Sequence, residues 1–150
     1  MRVLLQRVSS GSVTVAGKCI GQIGKGYVLL VGIGEADSER EADWLAEKVV
    51  NLRLFPNEAG QFDRSLLEVN GGALVISQFT LYGDARKGRR PSFVRAARPE
   101  VAEPLCDYFA GRLKELGVTV VATGRFGADM QVSLINDGPV TLMLERNPTD

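Results

Sequence analysis

The sequence contains no histidine and only two cysteines. Without histidine, neither a Ser-His-Asp nor a Cys-His catalytic mechanism is possible, and histidine-based metal sites are excluded. Cys19 and Cys106 are far apart in the sequence and match no metal-binding spacing. Two cysteines also cannot build a four-cysteine zinc site, so we expect no bound metal. We expect both thiols to be free and buried, in a reducing cytosol.

Net charge and long apolar segments are also lacking. The 18 basic side chains are balanced by 18 acidic ones, so any binding to nucleic acid must come from a local patch and not from an overall field. No apolar run approaches the length of a membrane span, and the N-terminal apolar stretch is too short for a signal peptide. We expect a soluble, cytoplasmic protein with one domain, residues 1–150, that binds no membrane.

The apolar patterning predicts two helices and several strands. Ser38 and Glu41 fit a capping box at the start of the first helix, and Gly117 ends the second, which Pro104 is expected to kink or delay. The predicted strands are Arg2 to Val8, Ser12 to Val15, Cys19 to Ile23, Tyr27 to Val31, Gly72 to Ile76, Val118 to Ala122, Met130 to Ile135 and Val140 to Leu144. We predict a mixed α/β fold of largely antiparallel and mixed sheets, with a barrel-like core and two main helices.

A buried strand with polar side chains at its end is the first candidate for function. The segment from Gly72 to Ile76 is apolar on both faces, and Ser77-Gln78-Phe79-Thr80-Leu81-Tyr82 follows it. A polar group beside dry walls needs a partner, because an unpaired buried polar group is costly. The partner is either a structural hydrogen bond at the strand end or a ligand, and this segment alone slightly favours the structural alternative.

The loop that follows is strongly basic. No acidic residue falls between Ala85 and Pro99, and the segment contains Arg86, Lys87, Arg89, Arg90, Arg95 and Arg98. Clustered donors of this kind, with Phe93 among them, suit a phosphate-bearing ligand. A solvated loop that pairs with carboxylates elsewhere is an equal alternative. The position directly after the polar strand end favours the ligand.

The second candidate segment is Asn136-Asp137-Gly138-Pro139-Val140-Thr141. Asp-Gly between two strands predicts a hairpin turn. Pro139 removes a backbone donor at the start of the last strand, and a Gly-Pro bond reaches the cis form at small cost. By itself this segment is a weak signal of function.

Together, the segments Ser77 to Leu81 and Asn136 to Thr141 resemble the two signature motifs of the D-aminoacyl-tRNA deacylases, also called D-tyrosyl-tRNA deacylases. The resemblance spans nearly the whole chain and extends to the segments Met1 to Val8, Arg86 to Phe93 and Gly124 to Met130. It implies a homodimeric enzyme without a cofactor. Such an enzyme hydrolyses the ester between a D-amino acid, or mischarged glycine, and the 3′ end of tRNA.

The resemblance also implies residue roles. Gly138 and Pro139 form a cis dipeptide that reaches into the active site of the other subunit and excludes an L side chain, and Arg7 braces this loop. The terminal 2′-hydroxyl of tRNA assists catalysis, and backbone amides stabilise the oxyanion. The catalytic segment comprises Ser77, Gln78, Phe79 and Thr80, with a supporting role for the threonine hydroxyl.

The implied tRNA contacts involve two further groups. Phe126 and Met130 line a pocket for the terminal adenosine, with core packing as the alternative. The tRNA phosphates are bound by Arg86, Lys87, Arg89 and Arg90. Two other functions stay open: a module that binds RNA or nucleotides without turnover, and a hydrolase of another small ester or peptide bond. We expect no binding to DNA.

Overall fold

The computed structural model describes residues 1–150. The elements follow in the order β1 (Arg2–Val15), β2 (Lys18–Ile23), β3 (Gly26–Gly32), α1 (Glu39–Asn51), β4 (Arg53–Pro56), β5 (Phe62–Ser65), β6 (Gly72–Ser77), α2 (Pro99–Glu115), β7 (Val121–Thr123) and β8 (Gln131–Glu145). A 3₁₀ turn, Phe79–Tyr82, comes directly after β6. No helix has the length and apolar character that crossing a membrane requires.

The main sheet is mixed and nearly closed. Its strand order is β2-β1-β3-β6-β7, and β8 pairs along β1. The partners of β1 are antiparallel to it, whereas β3, β6 and β7 run parallel to one another. A Cβ atom added to Gly21 of β2 would lie 3.0 Å from the Thr123 carbonyl oxygen in β7, so the two ends of the sheet meet. The predicted mixed α/β fold with a barrel-like core and two helices is confirmed.

Both faces of β6 are buried, as its continuous apolar run predicts. Ala73 and Val75 join a cluster of 24 buried residues, which also includes the inner faces of α1 and α2. Leu74 and Ile76 join a cluster of six on the opposite face, with Val8, Val13, Ile23 and Val28. The end of β6 therefore emerges between two apolar layers.

The helix boundaries agree with most of the predicted signals. Ser38 caps α1, and both hydrogen bonds of the capping box with Glu41 are present. The helix α2 begins at Pro99 and runs through Pro104, so Pro104 does not delay it. Proline is favourable at the first position of a helix. The carbonyl group that Pro104 leaves without a helical donor belongs to Glu100, an exposed residue that water can reach.

The long strands β1 and β8 differ from the prediction. Each replaces two shorter predicted strands. The prediction of a hairpin turn at Asp137-Gly138 is wrong, because β8 is continuous through these residues. Both halves of β8 pair with β1 in the same antiparallel direction, and a hairpin would reverse that direction. Asn136 pairs with Val8 and Thr141 with Gln6, so the four residues between them form a bulge opposite Arg7.

Candidate active site

The 3₁₀ turn carries the polar segment from the end of β6 to the surface. The amide of Gln78 donates a hydrogen bond of 2.7 Å to the Val31 carbonyl oxygen, and the amide of Leu81 donates one of 3.2 Å to the Gln78 carbonyl oxygen. The first amides of a 3₁₀ turn have no acceptor within the turn. The turn therefore leaves the N–H groups of Phe79 and Thr80 available.

An apolar cavity of about 630 Å³ opens beside this turn. Ser77, Gln78 and Phe79 line it on one side, and Phe126 and Met130 belong to the same lining. The structure thus brings five of the predicted site residues together, and 13 of the 19 lining residues are hydrophobic. An apolar cavity with a few polar groups is the usual form of a small-molecule site, because dry walls strengthen each polar contact.

Met130 reaches the cavity because Gly124 has no side chain. A Cβ atom added to Gly124 would lie 2.6 Å from the Met130 sulfur atom. Gly127 has a φ of 76°, which glycine adopts readily, and it lies in the turn between β7 and β8. The segment from Gly124 to Met130 therefore shapes the cavity wall, which accounts for its two glycines.

Thr80 lies at the edge of the site and does not line the cavity. Its hydroxyl oxygen accepts a hydrogen bond from the Gln78 side-chain amide. This contact positions the side chain of Gln78, a residue that does line the cavity. The sequence suggested structural hydrogen bonds and ligand binding as alternatives for this segment. The hydrogen bond between Gln78 and Thr80 is one such structural contact, and ligand binding stays a prediction.

The bulge in β8 lies apart from the cavity of its own chain, since neither Gly138 nor Pro139 lines it. The peptide bond between these two residues is cis. Within the bulge, Asn136 accepts a hydrogen bond of 2.8 Å from the Val140 amide. Arg7 donates one of 2.9 Å to the carbonyl oxygen of Asp137, the residue directly before the predicted Gly138-Pro139 contact.

The basic loop is only partly neutralised. Arg86 forms an ion pair of 2.7 Å with Asp84, and its hydrogen bonds hold the pKa of that carboxyl group at about 2. The side chains of Lys87, Arg89 and Arg90 are exposed and take part in no ion pair of the structure. Three of the four predicted phosphate-binding side chains are therefore free to meet an anion.

Part of the cavity wall was not identifiable from the sequence. It comes from the residues before α2 and from the first turns of that helix, including Ala97, Arg98, Ala102 and Cys106. Ala97, Ala102 and Cys106 are small and carry no motif, and only the packing of α2 against the sheet places them here. Arg98 is exposed and adds a basic group to the cavity lining.

The two thiols have different environments. Cys106 is buried, as expected, whereas the prediction of a buried Cys19 is wrong because its side chain is exposed. Cys19 is the second residue of β2, and the first two residues of this strand are both exposed. Burial raises the pKa of Cys106 to about 12, which keeps this thiol protonated and makes it unsuitable as a nucleophile.

Comparison with known structures shows the same architecture over nearly the full length. A solved structure titled c-Myc DNA Unwinding Element Binding Protein superposes with a TM-score of 0.92 and 38% identity, covering 98% of this chain and 99% of the other. A second, titled as a probable eukaryotic D-amino acid tRNA deacylase, has a TM-score of 0.83 at 18% identity and covers 95% and 97% of the two chains. At that identity the second likeness shows the fold alone.

Sequence comparison identifies curated relatives at higher identity. The D-aminoacyl-tRNA deacylase of Roseiflexus sp. (strain RS-1) is 61% identical over 97% of this chain and 93% of its own length. The protein of the same name from Brevibacillus brevis is 56% identical over 97% and 99%. The family model described as D-Tyr-tRNA(Tyr) deacylase matches residues 4–145. The chain therefore belongs to the D-Tyr-tRNA(Tyr) deacylase family.

Proposed function

We propose that the protein hydrolyses the ester between a D-amino acid and the 3′ end of tRNA, and releases the free amino acid and the tRNA. The observation that carries the proposal is the convergence of Ser77, Gln78 and Phe79 with Phe126 and Met130 on one apolar cavity. The names of the curated relatives support it. The proposed catalytic unit comprises residues 1–150, and it would act in the cytoplasm, where tRNA is aminoacylated.

The reaction adds water to the ester carbonyl carbon, after which the ribose 3′-oxygen leaves and takes up a proton. No histidine is available as a base, so we assign part of the activation to the neighbouring 2′-hydroxyl of the terminal ribose. The amides of Phe79 and Thr80 would stabilise the oxyanion, which gains most in a site that excludes water. The Thr80 hydroxyl would support the Gln78 side chain.

The terminal adenosine would occupy the part of the cavity formed by Phe126 and Met130. An aromatic ring and a polarisable thioether both suit the face of a base. The basic loop would bind tRNA phosphates through Lys87, Arg89 and Arg90. The ion pair with Asp84 makes Arg86 the weakest contributor of the four, since part of its field is already compensated.

Selection against L-amino acids would come from Gly138 and Pro139 of a second subunit. The bulge lies outside the cavity of its own chain, so it is available to a neighbour, and Arg7 holds its shape through the Asp137 carbonyl group. Its carbonyls would bind the ammonium group of the amino acid and crowd the position of an L side chain. A site that only excludes an L side chain also accepts glycine, which has none.

The homodimer that this selection requires would involve β8. That strand pairs with β1 alone, so its other edge has unpaired backbone groups. The strand also carries exposed apolar side chains, of which Ile135 is 62% exposed and Met143 48%. An open strand edge with apolar groups suits association with an identical copy.

The test is a deacylation assay on D-Tyr-tRNA and L-Tyr-tRNA side by side, with EDTA present. We expect cleavage of the D form and of Gly-tRNA, with the L form spared. Cleavage of D and L forms alike would remove the proposed role of Gly138 and Pro139. Replacing the terminal 2′-hydroxyl by hydrogen should slow the reaction strongly, and full activity on that substrate would contradict the assisted mechanism.

The second candidate function is nucleic-acid binding without turnover. The exposed cations of the basic loop favour it, and one solved relative is titled as a DNA-binding protein. This function predicts salt-sensitive binding to tRNA with no cleavage of either enantiomer. Competition between tRNA and a DNA duplex would then show which nucleic acid is preferred, and we expect tRNA. A general esterase would instead cleave free D-aminoacyl esters as rapidly as the tRNA ester.

A further inference from the structure

Two aromatic rings, one exposed and one half-buried, form a pair in the lining of the cavity. Phe79 and Phe93 both line it, their ring centroids are 5.0 Å apart, and their planes meet at 70°. Phe79 nevertheless stays 56% exposed. These rings are separate from Phe126 and Met130, which the proposed function assigns to the terminal nucleoside. The cavity thus has a second aromatic surface to which that function gives no ligand.

The backbone holds Phe93 in place. Asp84 and Ser92 exchange two hydrogen bonds of 2.8 and 2.9 Å at the base of the basic loop, and the Phe93 carbonyl oxygen accepts one of 3.0 Å from the Ala96 amide. The ring packs on Gly83 so closely that an added Cβ atom there would lie 3.0 Å from it. A ring fixed in this way loses little conformational freedom when a ligand stacks on it.

Basic side chains without an ion-pair partner lie on both sides of Phe93 in the sequence. Arg89 and Arg90 precede Phe93 and are exposed without an ion-pair partner, and Arg98 follows it and lines the cavity. Proteins bind single-stranded nucleic acids through aromatic rings next to unpaired cations, because bases stack on the rings and phosphates pair with the cations. An apolar side chain would use only the rings, and a carboxylate would use only the cations.

We propose that Phe79 and Phe93 bind the base of the nucleotide that immediately precedes the terminal nucleoside of the RNA strand. Because their planes meet at 70°, one ring stacks on the face of this base and the other contacts its edge. Arg98 pairs with the phosphate that joins these two nucleotides. The proposal rests on the proposed function, because that function places the terminal nucleoside at Phe126 and Met130. The enzyme then binds a single-stranded end of two nucleotides, and the penultimate base contributes to KM and not to the chemical step.

The experiment uses three D-tyrosyl esters: of adenosine, of the dinucleotide cytidylyl-adenosine, and of the same dinucleotide with an abasic first ribose. The wild-type protein should have a KM for the dinucleotide about tenfold lower than for the abasic form. Phe93→Leu should remove most of that advantage, because leucine fills space without an aromatic face. Phe93→Tyr should retain it, and Val94→Ala, at a neighbouring side chain that is 79% exposed, should change neither KM.

The abasic substrate separates stacking from other contacts. If Phe93→Leu raised KM equally for all three esters, Phe93 would contact the amino acid or only support the fold, and the proposal would be overturned. Equal KM values for dinucleotide and abasic forms in the wild type would also overturn it. If none of the three esters is cleaved and D-Tyr-tRNA is not cleaved either, the proposed function fails by itself. Equilibrium binding of the uncharged dinucleotide and its abasic form to wild type and Phe93→Leu then decides whether the base is stacked.

Discussion

The Nε atom of Arg7 donates a hydrogen bond of 2.9 Å to the carbonyl oxygen of Asp137. The Nη1 atom of the same side chain donates one of 2.6 Å to the carbonyl oxygen of Leu54. Arg7 is buried and takes part in none of the ion pairs of the structure. Its charge is therefore balanced by carbonyl dipoles, and it connects the bulge in β8 to the small sheet of β4 and β5.

Arg7→Met should lower the free energy of unfolding by about 3 kcal/mol, because it leaves two carbonyl groups without their charged donor. It should also reduce the ratio of D-Tyr-tRNA to L-Tyr-tRNA cleavage, since the bulge loses its support. Urea unfolding and paired deacylation assays measure the two effects. Arg64→Met is the matched control. Because Arg64 is exposed, this substitution should change neither the free energy of unfolding nor the ratio of D-Tyr-tRNA to L-Tyr-tRNA cleavage. An unchanged enantiomer ratio in Arg7→Met would contradict the bracing role.

Gly26→Ala should destabilise the fold strongly. The Cβ atom would lie 1.9 Å from the Gly72 carbonyl oxygen, and the φ of Gly26 is +156°. The backbones at the start of β3 and β6 must separate to relieve this overlap, at a cost of about 3 kcal/mol. Gly24→Ala is the control, since a Cβ atom there meets nothing within 4 Å. Equal urea midpoints for the two variants would show that the strands do not approach as described.

Glu41 makes the stability of α1 depend on pH. Burial opposes its ionisation, but the hydrogen bonds from the Ser38 hydroxyl and amide outweigh burial and hold its pKa below the ordinary value. A carboxyl group whose pKa is lowered by folding stabilises the protein at pH values above its unfolded-state pKa of about 4.3. This stability is lost as the pH falls through the folded-state pKa. Glu41→Gln should therefore cost about 1 kcal/mol at pH 7 and less at pH 3. Unfolding curves at both pH values test the sign.

The thiols should differ in reactivity. Burial raises the pKa of Cys106 to about 12, and Cys19 is exposed. Iodoacetamide at pH 8 should therefore modify Cys19 alone in the native protein and both cysteines after unfolding, as intact mass would show. Deacylation should survive modification of Cys19, which does not line the cavity. Rapid labelling of Cys106 in the folded protein would mean that the cavity wall opens.

Local sequence signals predicted the elements that depend on neighbouring residues. The capping box of Ser38 and Glu41, the turn at Gly117 and the two-faced burial of β6 each follow from patterns within a few residues. The polar segment after β6 could be located for the same reason. The predicted hairpin at Asp137-Gly138 failed because residue type favours a turn there, whereas strand pairing decides the direction of the chain. Both halves of β8 pair with β1, and this pairing keeps the strand in one direction.

By itself, the sequence determined the absence of histidine chemistry, the mixed α/β elements and the two signature segments, because these depend on residue type and short-range spacing. Only the tertiary structure decided which groups share a site. It placed small residues of α2 in the cavity wall and the bulge of β8 outside that cavity. These relations depend on long-range packing and strand register, which a local pattern does not encode.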